Sequence, residues 1–156
     1  MVELDDADRR LLELLQDDGR MTNAELAERA GLSASACHRR VKRLEESGVI
    51  ESYRAMLDQS AVGRPTTIFV EITLASQSEE ALDHFERAVR DCSDVLECHL
   101  MAGEADFLVR IAAGGPGDYE RIHRQQLTRL PGIARIRSIF ALRTVLPARG
   151  LRLHER

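Results

Sequence analysis

The sequence has no run of about 18 apolar residues, the length that a membrane-spanning helix requires, so we expect no membrane segment. It also has no excess of positive charge. The net charge is −4 and the isoelectric point is near 5.8, so no overall basic field would attract nucleic acid. Cysteines are few and odd in number (Cys37, Cys92 and Cys98), and the acidic first residues MVELDDADRR contain no apolar leader. We therefore expect free thiols and a cytoplasmic protein.

The usual signatures of an enzyme or a metalloprotein are also missing. Cys37 and His38 are neighbours on a predicted helix and point apart, so they cannot form a nucleophile–base pair. Cys98 and His99 would face opposite sides of one strand, which does not suit a metal site. Gly114–Gly117 is not followed by the Lys-Ser or Lys-Thr of a phosphate-binding loop. We therefore expect no catalytic residue, no metal site and no cofactor.

One dense group of positive charges is present, at His38–Arg43, and it lies in the second of two short helical patterns. The two patterns meet at Gly31, a residue that can adopt the positive φ of a tight turn at little cost. In the second pattern Cys37, Val41 and Leu44 recur at helical spacing and form one apolar stripe. The sequence therefore predicts a helix–turn–helix whose second helix packs on its apolar edge.

The opposite face of this second helix is polar, because Ser35, His38, Arg39 and Lys42 recur at i, i+3, i+4 and i+7. A donor-rich second helix fits the major groove of DNA, where arginine can bond a guanine edge with two hydrogen bonds. On spacing alone, a surface pair of helices with solvated charges is equally consistent. The predicted DNA-contacting residues are Thr22, Asn23, Ser33, Ser35, His38, Arg39, Lys42 and Arg43.

The chain as a whole is predicted to form two domains of the α+β class. Residues 1–57 carry three helical patterns and are expected to form a winged-helix-type helix-turn-helix domain. Residues 58–65 (DQSAVGRP) form a linker, and residues 66–156 follow the order βαββαβ of a ferredoxin-like domain. In that domain we expect the last helix to reach Leu130 and the last strand to cover residues 133–146.

Helices can cover only one face of such a sheet, and the other face is predicted to be apolar. An exposed apolar face of this kind usually marks a partner surface. A twofold dimer packed sheet on sheet is the simplest cover, and it would pair two DNA-reading helices. Scattered surface apolar residues are the alternative. The residues predicted on this open face are Val95, Met101, Leu108, Ile139 and Ala141.

The chain resembles the Lrp/AsnC group of bacterial and archaeal transcription regulators over nearly its whole length. The resemblance implies a helix-turn-helix that binds double-stranded DNA and a ferredoxin-like domain that assembles dimers into larger rings such as octamers. It also implies that an amino acid or a related small metabolite acts as effector. The matching segments are the opening Leu4-Asp5, Leu32-Ser33-x-Ser35, the helix and exit Arg40–Ile50, the G-x-x-D-Y/F loop Gly103–Phe107, and Leu130–Ile133.

By the same resemblance, the effector would bind at an interface between dimers, near the Gly103–Asp106 loop. Backbone N–H groups at a glycine turn can bind a carboxylate, and Asp106 could bind an ammonium group. For Asp106, capping of a hairpin is the alternative. This sequence has Ile136 and Ser138 where many relatives carry two threonines. The implied effector residues are Met101, Gly103, Glu104, Ala105, Asp106, Ile136 and Ser138.

Two functions are therefore consistent with the sequence. The first is a sequence-specific DNA-binding transcription regulator that responds to a small metabolite. The second is a small-molecule-binding or assembly module whose front helices contact only protein and bind no DNA.

Overall fold

A computed structural model describes residues 2–153, so Met1 and residues 154–156 of the two predicted domains lie outside the described part. The chain divides into two compact units. The helical unit contains residues 2–55 together with residues 146–153, and the sheet unit contains residues 56–145. The sequence patterns placed residues 146–153 in the second domain, whereas the contacts of the folded chain group them with the helices.

Each helix of the helical unit begins at a side-chain cap. The side chains of Asp5, Thr22 and Ser33 each accept a hydrogen bond from the backbone N–H three residues further on. Such caps satisfy N–H groups that a helix cannot bond internally, which is why the helices begin at these positions. The helices are α1 (Asp6–Asp17), α2 (Asn23–Ala30) and α3 (Ala34–Glu46).

The core of the helical unit contains the predicted apolar stripe of α3. Leu11 of α1, Leu26 of α2 and Cys37 of α3 are buried in one cluster. Gly31 adopts the left-handed conformation (φ 69°), which lets the chain reverse between α2 and α3. Burial raises the pKa of the Cys37 thiol, as expected for a core cysteine of low reactivity. Leu44, further along α3, is fully buried as well.

The sheet unit has the predicted βαββαβ order. Its four strands are antiparallel in the spatial order β2-β3-β1-β4, so β2 and β4 are the edges. The elements are β1 (Thr66–Leu74), α4 (Glu79–Arg90), β2 (Val95–Leu100), β3 (Phe107–Ala113), α5 (Pro116–Gln125), a 3₁₀ turn (Leu127–Arg129) and β4 (Ile133–Phe140).

The core of the sheet unit lies between one face of the sheet and the two helices. Ile68, Val70 and Ile72 alternate along β1 toward this face and are fully buried. Phe107 of β3 lies opposite Ile72 and stacks on Phe85 of α4, with ring centroids 4.3 Å apart.

Two predicted boundaries in the sheet unit are wrong. The α-helix of α5 ends at Gln125 and a 3₁₀ turn follows, and Leu130, which precedes Pro131, is extended. Strand β4 ends at Phe140 rather than at residue 146. The Ala141 N–H still bonds the Thr67 carbonyl at 3.0 Å, but β1 begins at Thr66 and so offers no partner to the residues after 142.

The prediction that Val95 lies on the open face is also wrong. The pairing of β2 with β3 shifts between Val95 and Glu97, so Val95 and Cys98 both pack against the core. Leu96, which the simple alternation places inward, is 49% exposed. A β-bulge adds one residue to one strand, and alternation along that strand then changes face. Met101 and Ala141 lie just beyond the ends of β2 and β4.

The open face of the sheet is a mixture of apolar and charged residues. Register places Phe69 of β1 between Arg110 of β3 and Ile139 of β4 on this face. Leu108 and Ile139 were predicted on this face, whereas Phe69 was not. Ion pairs join strands across the same face, Arg110 with Glu97 and Arg137 with Glu71. This face is therefore less apolar than predicted.

Candidate nucleic-acid interface and effector loop

The outer face of α3 carries the polar stripe predicted from the sequence. Ser35, His38, Arg39 and Lys42 are all exposed on one side of the helix. Among residues 2–153 no ion pair involves Arg39, and Lys42 has only a loose contact to Glu46, 3.7 Å from Nζ to Oε1. These side chains can therefore rearrange around a ligand outside the helical unit.

The other two arginines of α3 are bound to α1. Asp8 is only 1% exposed. Its Oδ1 is 2.8 Å from Nη1 of Arg40, and its Oδ2 contacts the guanidinium of Arg43. Arg40 also contacts Asp5 at 2.8 Å, and the backbone N–H of Asp8, followed by Arg40, lowers the pKa of Asp5. A buried carboxylate needs cationic partners, and both come from the same helix.

This network gives Arg43 a structural role besides the DNA contact predicted for it. Its guanidinium binds Asp8 and helps to hold α3 on α1. Half of the Arg43 side chain is still exposed. This role could not be predicted from the helical pattern, because the buried acid lies 35 residues away in the chain.

The remaining predicted DNA residues of the helical unit hold the turn in shape. Thr22 forms a reciprocal capping box with Glu25, with its N–H 2.8 Å from the carboxylate. The Asn23 side-chain amide donates to the carbonyl of Ala34 at 2.9 Å and so ties the start of α2 to the start of α3. Ser33 caps α3. All three predicted residues are exposed, so structural roles and DNA contact are compatible.

A cleft of about 530 Å³ lies in the helical unit beside the polar stripe. His38 and Lys42 border it on one side, and Tyr53 borders it on another. The Tyr53 hydroxyl donates to Oε1 of Glu45 at 3.0 Å, and burial with this contact raises the pKa of Tyr53 to about 12. Tyr53 was not among the predicted site residues, since it lies outside the helical pattern.

In the sheet unit, Asp106 shapes the loop between β2 and β3. Its Oδ2 accepts the backbone N–H of Leu74 at 2.7 Å, and its Oδ1 accepts the side-chain amide of Gln77 at 2.7 Å. The carboxylate is buried. Both oxygens thus have partners inside the protein, as the structural alternative for Asp106 expects, and the predicted contact to an ammonium group stays a prediction.

The loop that Asp106 holds is otherwise open to solvent. Met101, Gly103 and Glu104 are exposed and Ala105 is half-buried. Glu104 contacts Arg135 at the start of β4 at 2.8 Å, and hydrogen bonding to Arg135 lowers the pKa of Glu104. The loop therefore lies close to the start of β4.

The two predicted effector residues on β4 face the helices. Ile136 packs against the core of the sheet unit. The hydroxyl of Ser138 is 2.5 Å from the hydroxyl of Tyr119, which is nearly buried and meets the Phe140 ring edge-on at 5.3 Å. Burial raises the pKa of Tyr119. Within one chain, Ile136 is therefore a core residue and Ser138 is paired with Tyr119.

These features define a class of protein. In the three-helix unit, α3 is the second helix of the helix-turn-helix, and its outer face is polar and cationic, an arrangement typical of DNA-binding proteins. The ferredoxin-like unit is a separate module. Residues 4–51 match the family model described as winged helix-turn-helix DNA-binding, and residues 67–151 match the Lrp/AsnC ligand binding domain. The chain belongs to the Lrp/AsnC family of transcriptional regulators.

Known relatives resemble the chain over nearly their full length. It is 38% identical to the Bkd operon transcriptional regulator of Pseudomonas aeruginosa over 94% of this chain and 95% of that protein. It is 35% identical to the leucine-responsive regulatory protein of Escherichia coli, over 99% of this chain and 94% of that protein. A transcriptional regulator from Neisseria meningitidis, solved with L-Met, is 31% identical with a TM-score of 0.87, covering 93% and 94%. An AsnC family regulator from Agrobacterium tumefaciens is 33% identical with a TM-score of 0.89, covering 95% and 96%.

The comparisons confirm the predicted family, the α+β fold class and a DNA-binding transcription regulator with a ligand-binding domain. In the described part of the chain, no helix is both long and apolar enough to cross a membrane. Nor do three His, Cys, Asp or Glu side chains converge there as a metal site would need.

The network around Asp8 yields a stability prediction. Replacing Asp8 by Ala removes one half of the capping box of α1 and leaves Arg40 and Arg43 without their shared partner. We expect the free energy of unfolding to fall by about 1–3 kcal/mol. The matched control is Asp6→Ala, an exposed acid in the same helical turn, which should cost no more than about 0.5 kcal/mol. Urea unfolding followed by circular dichroism measures both, and equal losses would contradict the role assigned to Asp8.

Proposed function

We propose that this regulator reads DNA with the outer face of α3, and that Ser35, His38, Arg39 and Lys42 make the contacts. The supporting observation is the division of cations along α3. Arg40 and Arg43 are bound to Asp8, while the exposed Arg39 and Lys42 have no contact to that carboxylate. The helix is thus fixed on one edge and available on the other.

Attraction to DNA must be local, because the net charge of the chain is −4. Cations on one helix face can still bind phosphates and release counterions, which makes binding sensitive to salt. Arginine can add a paired contact to a guanine edge, so Arg39 is the best candidate for sequence readout. Thr22, Asn23 and Ser33, at the starts of α2 and α3, are placed to contact phosphates.

The test is the affinity for the DNA upstream of the protein's own gene, measured by fluorescence anisotropy at fixed salt. Arg39→Ala should weaken specific binding by about 1–3 kcal/mol, because it removes a base or phosphate contact. Arg90→Ala, an exposed arginine at the end of α4, is the control and should bind as the wild type does. If the wild type and Arg39→Ala bind all duplexes equally weakly, the protein is instead a small-molecule-binding or assembly module.

We also propose that two copies pair through the open faces of their sheets. Phe69, Leu108 and Ile139 would meet at the centre, with the ion pairs of Arg110 and Arg137 around them. This arrangement has the apolar centre and polar rim of a protein interface, and a twofold axis would pair two reading helices. Further assembly of dimers into rings such as octamers is part of the same proposal.

Sedimentation velocity tests the pairing. Ile139 is 37% exposed on the open face, and Ile139→Glu would bury a carboxylate at the interface, so we expect the dimer to dissociate. Leu142→Glu is the control. Leu142 lies just beyond β4 and is fully exposed, so this substitution should leave the mass of the sedimenting assembly unchanged. A dimer that survives Ile139→Glu, or a monomeric wild type, would contradict this interface.

For the effector, we propose an amino acid or a related metabolite bound at the Gly103–Ala105 loop, between dimers. The backbone N–H groups of the loop would bind the carboxylate of the ligand, and Met101 would contact the side chain of the ligand. Ile136 and Ser138 would line the site from β4. Asp106 would hold the loop in shape without touching the ligand, as its internal hydrogen bonds favour. A relative solved with L-Met and leucine-responsive relatives support this class of ligand.

A thermal-shift screen of the standard amino acids, beginning with L-leucine and L-methionine, tests the effector proposal. Gly103→Val should abolish any ligand-induced shift, because Gly103 has a φ of 154° that a β-branched residue rarely adopts. Gly115→Val is a matched control, since Gly115 has the same φ and equally open surroundings. No shift with any amino acid would contradict the ligand class, and a shift that survives Gly103→Val would move the site elsewhere.

We further propose that the protein acts in the cytoplasm, where its DNA target is found, and that it catalyses no reaction. Binding of DNA and of an effector accounts for both of its domains. A ligand can change the DNA-bound state only through the difference in its affinity for two arrangements of the assembly.

A further inference from the structure

The last described residues of the chain, 146–153, return to the helical unit and lie along the exposed side of α1. We call them the C-terminal strap. The side chain of Gln16 binds the backbone of Leu151 twice. Its Oε1 accepts the Leu151 N–H at 2.5 Å, and its Nε2 donates to the Leu151 carbonyl at 2.9 Å. The N–H of Leu153 donates to Oε1 of Glu13, one helical turn earlier, at 3.4 Å.

Where the strap contacts α1, position 150 has room only for a glycine. A Cβ atom at Gly150 would lie 2.8 Å from Oε1 and 2.9 Å from Cβ of Gln16, closer than carbon atoms pack. Leu151 itself is 76% exposed, so burial of its side chain does not hold the strap in place. Backbone hydrogen bonds and close approach at Gly150 hold it instead. A contact made of a few exposed hydrogen bonds can open and close readily.

The strap lies where the chain passes from the sheet unit back to the helical unit. The chain leaves the helical unit after Ala55 and forms the sheet unit. It returns at Leu146, shortly after the end of β4. The chain therefore passes between the two units twice, once through residues 56–65 and once just before the strap. Two connections leave a domain fewer orientations than one flexible linker does.

We propose that the C-terminal strap is a reversible restraint that sets the spacing of the DNA-reading helices. With the strap seated on Gln16, each α3 of a dimer is held to a narrow range of positions. With the strap released, the helical unit is tethered by residues 56–65 alone and accepts a wider range of half-site spacings. This inference rests on the proposed DNA-reading dimer, whereas the seating of the strap can be tested without DNA.

The first experiment measures exchange of the Leu151 amide hydrogen in the full chain without DNA. In the wild type the hydrogen bond to Gln16 should slow exchange about tenfold relative to Gln16→Ala. Gly150→Ala should speed the exchange of the Leu151 amide hydrogen to the same extent as Gln16→Ala does, because the added methyl group displaces Gln16.

Two matched variants control for the chemistry of the substitutions. Gln125→Ala removes an exposed glutamine from α5, and Gly117→Ala adds a methyl group where no atom lies within 4 Å. Both should retain the slow exchange of Leu151. Fast exchange in the wild type would show that no strap is seated and would overturn the proposal.

The second experiment compares two DNA affinities. One DNA is the upstream duplex whose bound site has been mapped by footprinting, and the other is the same duplex with its half-sites moved apart by about half a helical turn. The wild type should prefer the natural spacing at least about tenfold, and Gln16→Ala should lose most of that preference while it binds a single half-site equally well. If Gln16→Ala keeps the full preference although its strap is released, the restraint is refuted. If the wild type binds no DNA, the proposed function fails and the spacing role fails with it, while the exchange result still decides whether the strap is seated.

Discussion

The buried carboxylate of Asp8 fixes the orientation of the helix on which DNA binding depends. It lies in the first turn of α1 and binds two arginines of α3, one through each oxygen. A buried acid without cations would be costly, so α1 and α3 are held in one relative position. The same contacts engage two of the four cations of α3 and leave Arg39 and Lys42 unbound by Asp8. An acidic protein can thereby present a local cationic face.

The sheet unit follows a similar logic at the predicted effector loop. Asp106 is buried, and its bonds to Leu74 and Gln77 fix the hairpin that carries Gly103 and Glu104. The side chain that looks most suited to bind a ligand is therefore a support. The exposed backbone of the loop is the part that can meet a carboxylate. In both units, a buried acid positions a neighbouring surface.

Much of this organisation was predictable, because helix caps, apolar periodicity and alternation are local signals. The turn at Gly31, the buried edge of α3 at Cys37 and Leu44, and the order βαββαβ were predicted correctly for that reason. The features that could not be predicted share another origin. The bond of Arg43 to Asp8 joins residues far apart in the sequence, and the bulge beside Val95 depends on pairing with β3. The return of residues 146–153 to α1 rests on backbone contacts, which leave no trace in side-chain patterns.

The central claim is that α3 divides its cations between support and readout. Salt dependence of DNA affinity tests it directly, because each phosphate contact contributes to the slope of log affinity against log salt. Lys42→Ala should lower the magnitude of this slope by about one, whereas Arg43→Ala should lower stability and leave the slope unchanged. A slope that falls with Arg43→Ala and stays constant with Lys42→Ala would contradict the account.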